Sequence, residues 1–287
     1  MSKTRGRLFG LALGGALLAM LGLTLGVRAL PSHSAPTAAG TSVNPPSLPA
    51  ASVVPPAAVL PRPSAAPAAA PGPLVIVAGG DVNFGRECGQ AILADVRYDP
   101  FRFMAPLWRD ADLRFVNLES QLSDQKGETQ SPRNRLIFTG PPDGGLTLAQ
   151  AGIQIVSTAN NHAWDYGRGA LFETLDNLAR AGVKSVGTGR TLAAAYEPAV
   201  LEVRGRRIAV FAVTQIWNAG DIETHDGRHY VAWARLPRLK KALERARRDY
   251  DVVLFSYHGG AEYIDTPMAM TRRFVDAIAK SGYVDAV

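Results

Sequence analysis

A single cysteine, Cys88, excludes any intrachain disulfide framework, so the fold has to rest on its hydrophobic core. Burial as a small hydrophobe is the simplest role for a lone thiol; an intermolecular bridge or a nucleophile are the alternatives. Acidic residues are missing altogether from positions 1–74, where Lys3, Arg5, Arg7, Arg28 and Arg62 stand unopposed. That imbalance accounts for most of the formal charge of +6, and the remaining sequence is nearly neutral. No basic face is demanded of the folded part, which argues against a nucleic-acid partner. Histidines are scarce as well, five in 287 residues, so their placement is informative.

Three basic residues at positions 1–7 precede an uncharged apolar run, 8–27. Twenty helical residues span about 30 Å, the thickness of a bilayer core. Residues 1–7 therefore read as a cytoplasmic N-terminus, and 8–27 as a transmembrane anchor or a signal peptide cleaved near Val27–Ala29. Residues 28–73 follow as an Ala/Pro-rich linker without acids, too poor in large apolar side chains to offset its ordering entropy. Either way, the domain at 74–287 is expected outside the cytoplasm, held at the cell membrane by a single pass or secreted.

From Leu74 the pattern becomes short Val/Ile/Leu runs alternating with helical spacing, which predicts an α/β layered domain. Strands are expected at "LVIVAGGD", "LRFVNLES", "IQIVSTANNH", "RRIAVFAVTQ" and "DVVLFSYHGG", and helices over 106–110, 170–181, 237–248 and 268–281. Four of these strands release metal-friendly side chains at their carboxyl ends: Asp81; Asn117 and Glu119; Asn160, Asn161 and His162; and His258. Ligands of open α/β sheets gather outside those ends. A mixed oxygen and imidazole set suits Mn, Fe or Zn, and a carboxylate shared by two ions would give a two-metal hydrolytic centre. Each residue alone has a plainer role as a turn former, surface charge or buried histidine. Four such coincidences at equivalent strand ends make convergence the better reading. His225 and His229 are expected in a solvated loop rather than a metal pair, and Trp217 and Trp233 in core packing.

"GDVNFGR", "VNLES", "TANNHAWDYG" and "YHGGAEY" together resemble the bacterial CapA family of poly-γ-glutamate capsule synthesis proteins, which is similar to the calcineurin-like metallophosphoesterases. The resemblance implies a four-layer α/β/β/α sandwich and a site holding divalent metal, two ions in the complete family fold. It implies Asp81, Glu119, Asn161 and His258 as metal ligands, with Asn117 as an alternative to Glu119. His162 would be the general acid or phosphate contact, and Asp81 would serve catalysis as well as metal. Asn83 stands where the wider superfamily usually has a histidine. Asn160 and Glu262, with Tyr263, lie in the same motifs without an assigned role. The family's later Gly-His-x-His motif does not occur in these 287 residues, so the fold is expected to be incomplete at its C-terminus and the site short of ligands.

Three functions are compatible with this reading. The first is a membrane-anchored protein of capsule or poly-γ-glutamate biosynthesis, working on an anionic polymer beside synthase or export subunits. The second is an exported metal-dependent phosphoesterase acting on a phosphorylated envelope molecule. The third is a binding or scaffold subunit without catalysis.

Overall fold

A computed structural model describes residues 72–287. The expected cytoplasmic segment, the apolar run at 8–27 and nearly all of the linker lie outside the described residues. Among the described residues, no helix is long and apolar enough to cross a membrane.

Four parallel strands form the first sheet: β1 (Ile76–Val82), β2 (Leu113–Leu118), β5 (Ile155–Ser157) and β6 (Lys184–Val186), in the order β1-β2-β5-β6. A small parallel pair, β3 (Gln121–Leu122) and β4 (Thr139–Gly140), sits between β2 and β5 in sequence. The second sheet is mixed. Strand β7 (Ala199–Val203) runs antiparallel to β8 (Arg206–Thr214), and β8 runs parallel to β9 (Val252–His258). The helices are α1 (Arg86–Ala94), α2 (Ala105–Trp108), α3 (Gly144–Gln150), α4 (Gly167–Arg180), α5 (Leu192–Ala195), α6 (Leu236–Asp249) and α7 (Ala269–Ala279).

Side-chain alternation along the strands explains the layering. On β8, Ile208, Val210 and Ala212 face the first sheet, where they meet Leu113, Ile155 and Val186. The intervening Ala209, Phe211 and Val213 face the opposite way, toward Leu239 and Leu243 of α6 and Phe274 and Ile278 of α7. On the first sheet, Val116, Leu118 and Val156 turn outward to Ile92 of α1, Leu148 of α3 and Leu178 of α4. Among the described residues, three separate apolar cores therefore divide four layers, helix, sheet, sheet and helix, as the sequence resemblance implied. Each fully buried branched side chain contributes about 1.5–3 kcal/mol by leaving water. Strands buried on both faces need continuous apolar runs, which is why these segments stood out in the sequence.

The expected helices form with small shifts at their ends. That at 170–181 starts earlier, at Gly167, whose φ of +75° admits the tight entry from the preceding loop. Helices α1 and α3 have no clear sequence signal because their buried positions include glycines: Gly89, and Gly144 and Gly145. These glycines are there for close packing. A Cβ on Gly145 would stand 2.8 Å from the Asn177 carbonyl of α4. Cys88 is half-buried against the outer core of the first sheet, and burial pushes its thiol pKa up, so it remains a protonated packing group.

Candidate active site

The sequence places Asp81 at the end of its strand. It lies within β1, just past a bulge. Ala78 pairs with Phe115 and Asp81 with Asn117, so β1 carries one more residue than β2 between those pairs. The bulge falls at Gly79–Gly80, where a Cβ on Gly79 would come within 3.0 Å of Val116 Cγ1. A bulge of this kind re-aims the side chain that follows it. Here it directs Asp81 toward the end of β2, where Asn117 Nδ2 donates to Asp81 Oδ1 at 2.7 Å.

Because β1, β2 and β5 are parallel neighbours, their carboxyl ends form one rim. The second sheet supplies the opposite wall with the last residue of β9, His258. Its Nε2 lies 2.8 Å from Asn161 Oδ1 and 3.5 Å from Glu119 Oε1. Its Nδ1 lies 3.2 Å from Asn117 Nδ2 and 3.9 Å from Asp81 Oδ1. Asp81, Asn117, Glu119, Asn161 and His258 are thus brought together across two sheets. Since the Asn117 amide donates toward Nδ1, that nitrogen is the acceptor and the imidazole proton sits on Nε2, facing Asn161. Burial lowers the His258 pKa, favouring the neutral ring; nearby Asp81 acts in the other direction.

Asn160 has a supporting place. It is almost fully buried, and its Nδ2 donates to Asn117 Oδ1 (3.1 Å) and to the Leu118 carbonyl (2.8 Å). A relay of amides therefore runs from Asn160 through Asn117 to Asp81. Asn160 Oδ1 also accepts the His162 backbone N–H at 3.1 Å, forming the Asx turn that reverses the chain. Glu119 is mostly buried, with its side chain 19% exposed, close enough to Asp81 to feel its charge. Desolvation first, then the Asp81 charge, raises the Glu119 pKa to about 7, with a smaller push from Glu262. Glu262 itself is exposed on the loop after β9, as is Tyr263.

His162 is buried one step behind the rim. Its Nδ1 is 2.8 Å from Asp165 Oδ2, and its ring stacks on Phe138 at 4.2 Å between centroids. The same Asp165 oxygen accepts the Phe138 backbone N–H at 3.0 Å, so one carboxylate fixes both members of the stack. Gln121 secures the loop: its Nε2 donates to the Ala163 and Gly167 carbonyls, and its Oε1 accepts the Tyr166 N–H at 2.6 Å. Its contact with His162 makes Asp165 a positioning residue for that ring. The His-x-x-Asp spacing is the signal that could have revealed it. Phe138 and Gln121 carried none.

The other histidines separate. His225 was placed in a solvated loop, but it packs edge-on against Trp164 and Trp217, with ring centroids 5.3 and 5.2 Å away, and its Nδ1 accepts the Gly227 N–H. Local aromatic packing explains the departure. His229 is exposed. Trp217 joins that aromatic cluster, whereas Trp233 is only half-buried and lines a surface cleft.

The donor set of the rim, two carboxylates, two amides and one neutral imidazole, has the chemistry of a divalent-cation site. Two carboxyl groups whose charges oppose each other at one spot also leave a demand for positive charge. Among the described residues, however, no three His, Cys, Asp or Glu side chains stand in a metal-holding group. The side chains bond to one another, and two of the donors are amides.

Fold and rim together define a two-sheet α/β domain with a polar, carboxylate-bearing centre at its strand ends. The model of the bacterial capsule synthesis protein PGA_cap family matches residues 75–287, and the chain belongs to that family. It is 24% identical over 212 residues to the PGA biosynthesis protein CapA of Bacillus subtilis, covering 71% of this chain and 53% of that one. It is 25% identical over 207 residues to the capsule biosynthesis protein CapA of Bacillus anthracis, covering 69% and 50%. The chain thus spans about half the length of these relatives. Among solved structures, the calcineurin-like phosphoesterase YfkN from Bacillus subtilis aligns with a TM-score of 0.46 at 13% identity, over 74% of this chain and 70% of that one. At that score the likeness adds nothing to the layer arrangement described above.

Proposed function

We propose that this protein acts in the synthesis of a capsule-type anionic polymer of the poly-γ-glutamate kind, held at the outer face of the membrane by residues 8–27, and that its rim is a divalent-cation-dependent phosphoesterase-like site. The observation that carries the chemical part is the convergence of Asp81, Asn117, Glu119, Asn161 and His258 from strands of two sheets. The biological part is supported by membership of the capsule synthesis family.

Asp81, Glu119, Asn161 and His258 are the residues that would hold Mn, Fe or Zn, with Asn117 orienting Asp81. Bound there, the ion supplies Lewis acidity and makes water a better nucleophile at neutral pH. The neutral state of His258 suits ligation, and the amide relay keeps Asp81 from swinging to solvent. Asp165 holds the imidazole of His162 by Nδ1, leaving Nε2 to carry the proton that a departing alkoxide needs, or to contact a phosphate oxygen. Stacking on Phe138 fixes the ring and shields it from water.

Metal titration of the purified chain, followed by aryl-phosphate hydrolysis with and without Asp81→Ala, tests the chemistry. Stoichiometric Mn or Zn binding and turnover abolished by the substitution are expected; turnover that survives it removes Asp81 from the site. Deleting the gene should abolish the surface polymer. A non-catalytic scaffold is the second reading, favoured by the absence of a preformed metal-holding group among the described residues. Polymer lost on deletion, from a chain that neither binds metal nor hydrolyses phosphoester, would establish it.

A further inference from the structure

A second concavity, its floor largely apolar (Leu192, Ile222, Trp233) and its edge rich in arginine, lies away from the rim residues, where the chain leaves β8 and returns to begin α6. It encloses about 460 Å³ and is lined by Tyr196, Glu223, Arg228, Trp233, Arg235 and Arg238, among others. Thr214, the last residue of β8, accepts the Ala234 N–H and pairs with His258, so this cleft and the rim open at the same end of the second sheet. We propose that the cleft binds an oxyanion-bearing ligand, holding carboxylate or phosphate groups between Arg228 and Arg238 against the Trp233–Tyr196 wall.

Charge count and fixation carry the inference. Three guanidinium groups surround one carboxylate, Glu223, and Arg235 is the one that forms an ion pair with it. Arg228 donates from Nη1 to the Glu223 backbone carbonyl at 2.9 Å, a neutral acceptor. Arg238 lies over the Tyr196 ring, 5.0 Å from its centroid, and has no carboxylate partner among the described residues. A stacked guanidinium keeps its forked N–H edge free for an oxyanion and loses little freedom on binding. The wall is also rigid. Tyr196 is buried; its hydroxyl donates to the Trp233 carbonyl at 2.7 Å and accepts the Trp233 N–H at 3.0 Å. The volume falls within the range of small-ligand sites, about 300–1,000 Å³. All three arginines are exposed, but they line one cleft, and Arg238 has an aromatic platform that an ordinary surface arginine lacks.

Calorimetric titration of the full chain tests this with two probes, a γ-linked glutamate tetramer and inorganic phosphate. Either probe is expected to bind, and added salt to weaken it. The tighter of the two identifies whether carboxylate or phosphate is the natural group. Each guanidinium–oxyanion contact is worth about tenfold in affinity, so Arg228→Gln with Arg238→Gln should lower it about 100-fold. Asp81→Ala should leave binding intact, which separates this cleft from the rim. If the rim proves inert and the probes still bind, the cleft stands alone. Binding of neither probe, binding unchanged in the double variant, or binding lost in Asp81→Ala would overturn the assignment.

Discussion

Replacing Glu119 with glutamine isolates the electrostatic strain of the rim. In the folded domain the Glu119 pKa rises from 4.5 to about 7, through desolvation and the adjacent Asp81 charge. Between those two values the folded state holds a proton that the unfolded chain has released. Stability contributed by this group is therefore fully present below pH 4.5 and falls as pH rises toward 7. At about 1.4 kcal/mol for each unit the full shift corresponds to about 3 kcal/mol. Water still reaches part of this side chain, and screening reduces the figure to about 1–2 kcal/mol. Glutamine keeps the size and polarity of the side chain without ever ionising. With chelator present, Glu119→Gln should be more stable than wild type by that amount at pH 8, and the gap should close by pH 4.5. Urea midpoints of both proteins at pH 4.5, 6 and 8 measure the difference directly, and changes common to both cancel. A gap that does not vary with pH would refute the coupling of Glu119 to Asp81. Saturating Mn or Zn should reverse the order at pH 8, because ligand binding stabilises only the protein that retains the donor.

Asp165→Asn should slow phosphoester turnover at least tenfold and alter its pH profile while the melting temperature moves little, since the asparagine can still accept the Phe138 N–H; an unchanged pH profile would separate Asp165 from His162. Ile208→Ala empties a fully buried site between the two sheets and should cost about 2–5 kcal/mol in urea denaturation. Gly187→Ala is expected to be worse tolerated than its size suggests, with soluble yield sharply reduced. Gly187 has φ +92°, and a new Cβ would sit 2.5 Å from Ala159 Cβ, beside the Asn160–His162 turn.

How much of this was readable beforehand depended on the kind of signal. Strands buried on both faces announce themselves as apolar runs, so β1, β2, β5, β8 and β9 could be found, and with them the side chains at their ends. The short strands β6 and β7 and the pair β3–β4 offer two to five residues each, too few for a periodic pattern. Helices α1 and α3 hide because glycine at a packed position looks like a loop. Within the site, charged and amide groups at strand ends were legible, whereas their supports were not. Phe138 reaches His162 only because β4 brings the chain back beside β3, and Gln121 matters through two distant carbonyls. The bulge at Gly79–Gly80 was visible as a pair of glycines, but its direction of turn was not. The arginine-lined cleft needs residues from α5, the loop after β8 and the start of α6 in one place, and no spacing in the sequence expresses that.

The bonds that join Asp81 to Asn117, Asn117 to Asn160, and His258 to Asn161 bridge separations of 36, 43 and 97 residues. None can form during an early local folding event, and the last requires one sheet to have docked on the other. The centre is thus a latecomer on any folding route, assembled when the long-range contacts close. Heating should run this in reverse: wherever the sheets separate first, the rim comes apart while much helix persists. On the proposed function, any phosphoester turnover should be lost before the far-ultraviolet circular dichroism, which would make it the more sensitive thermometer of sheet docking.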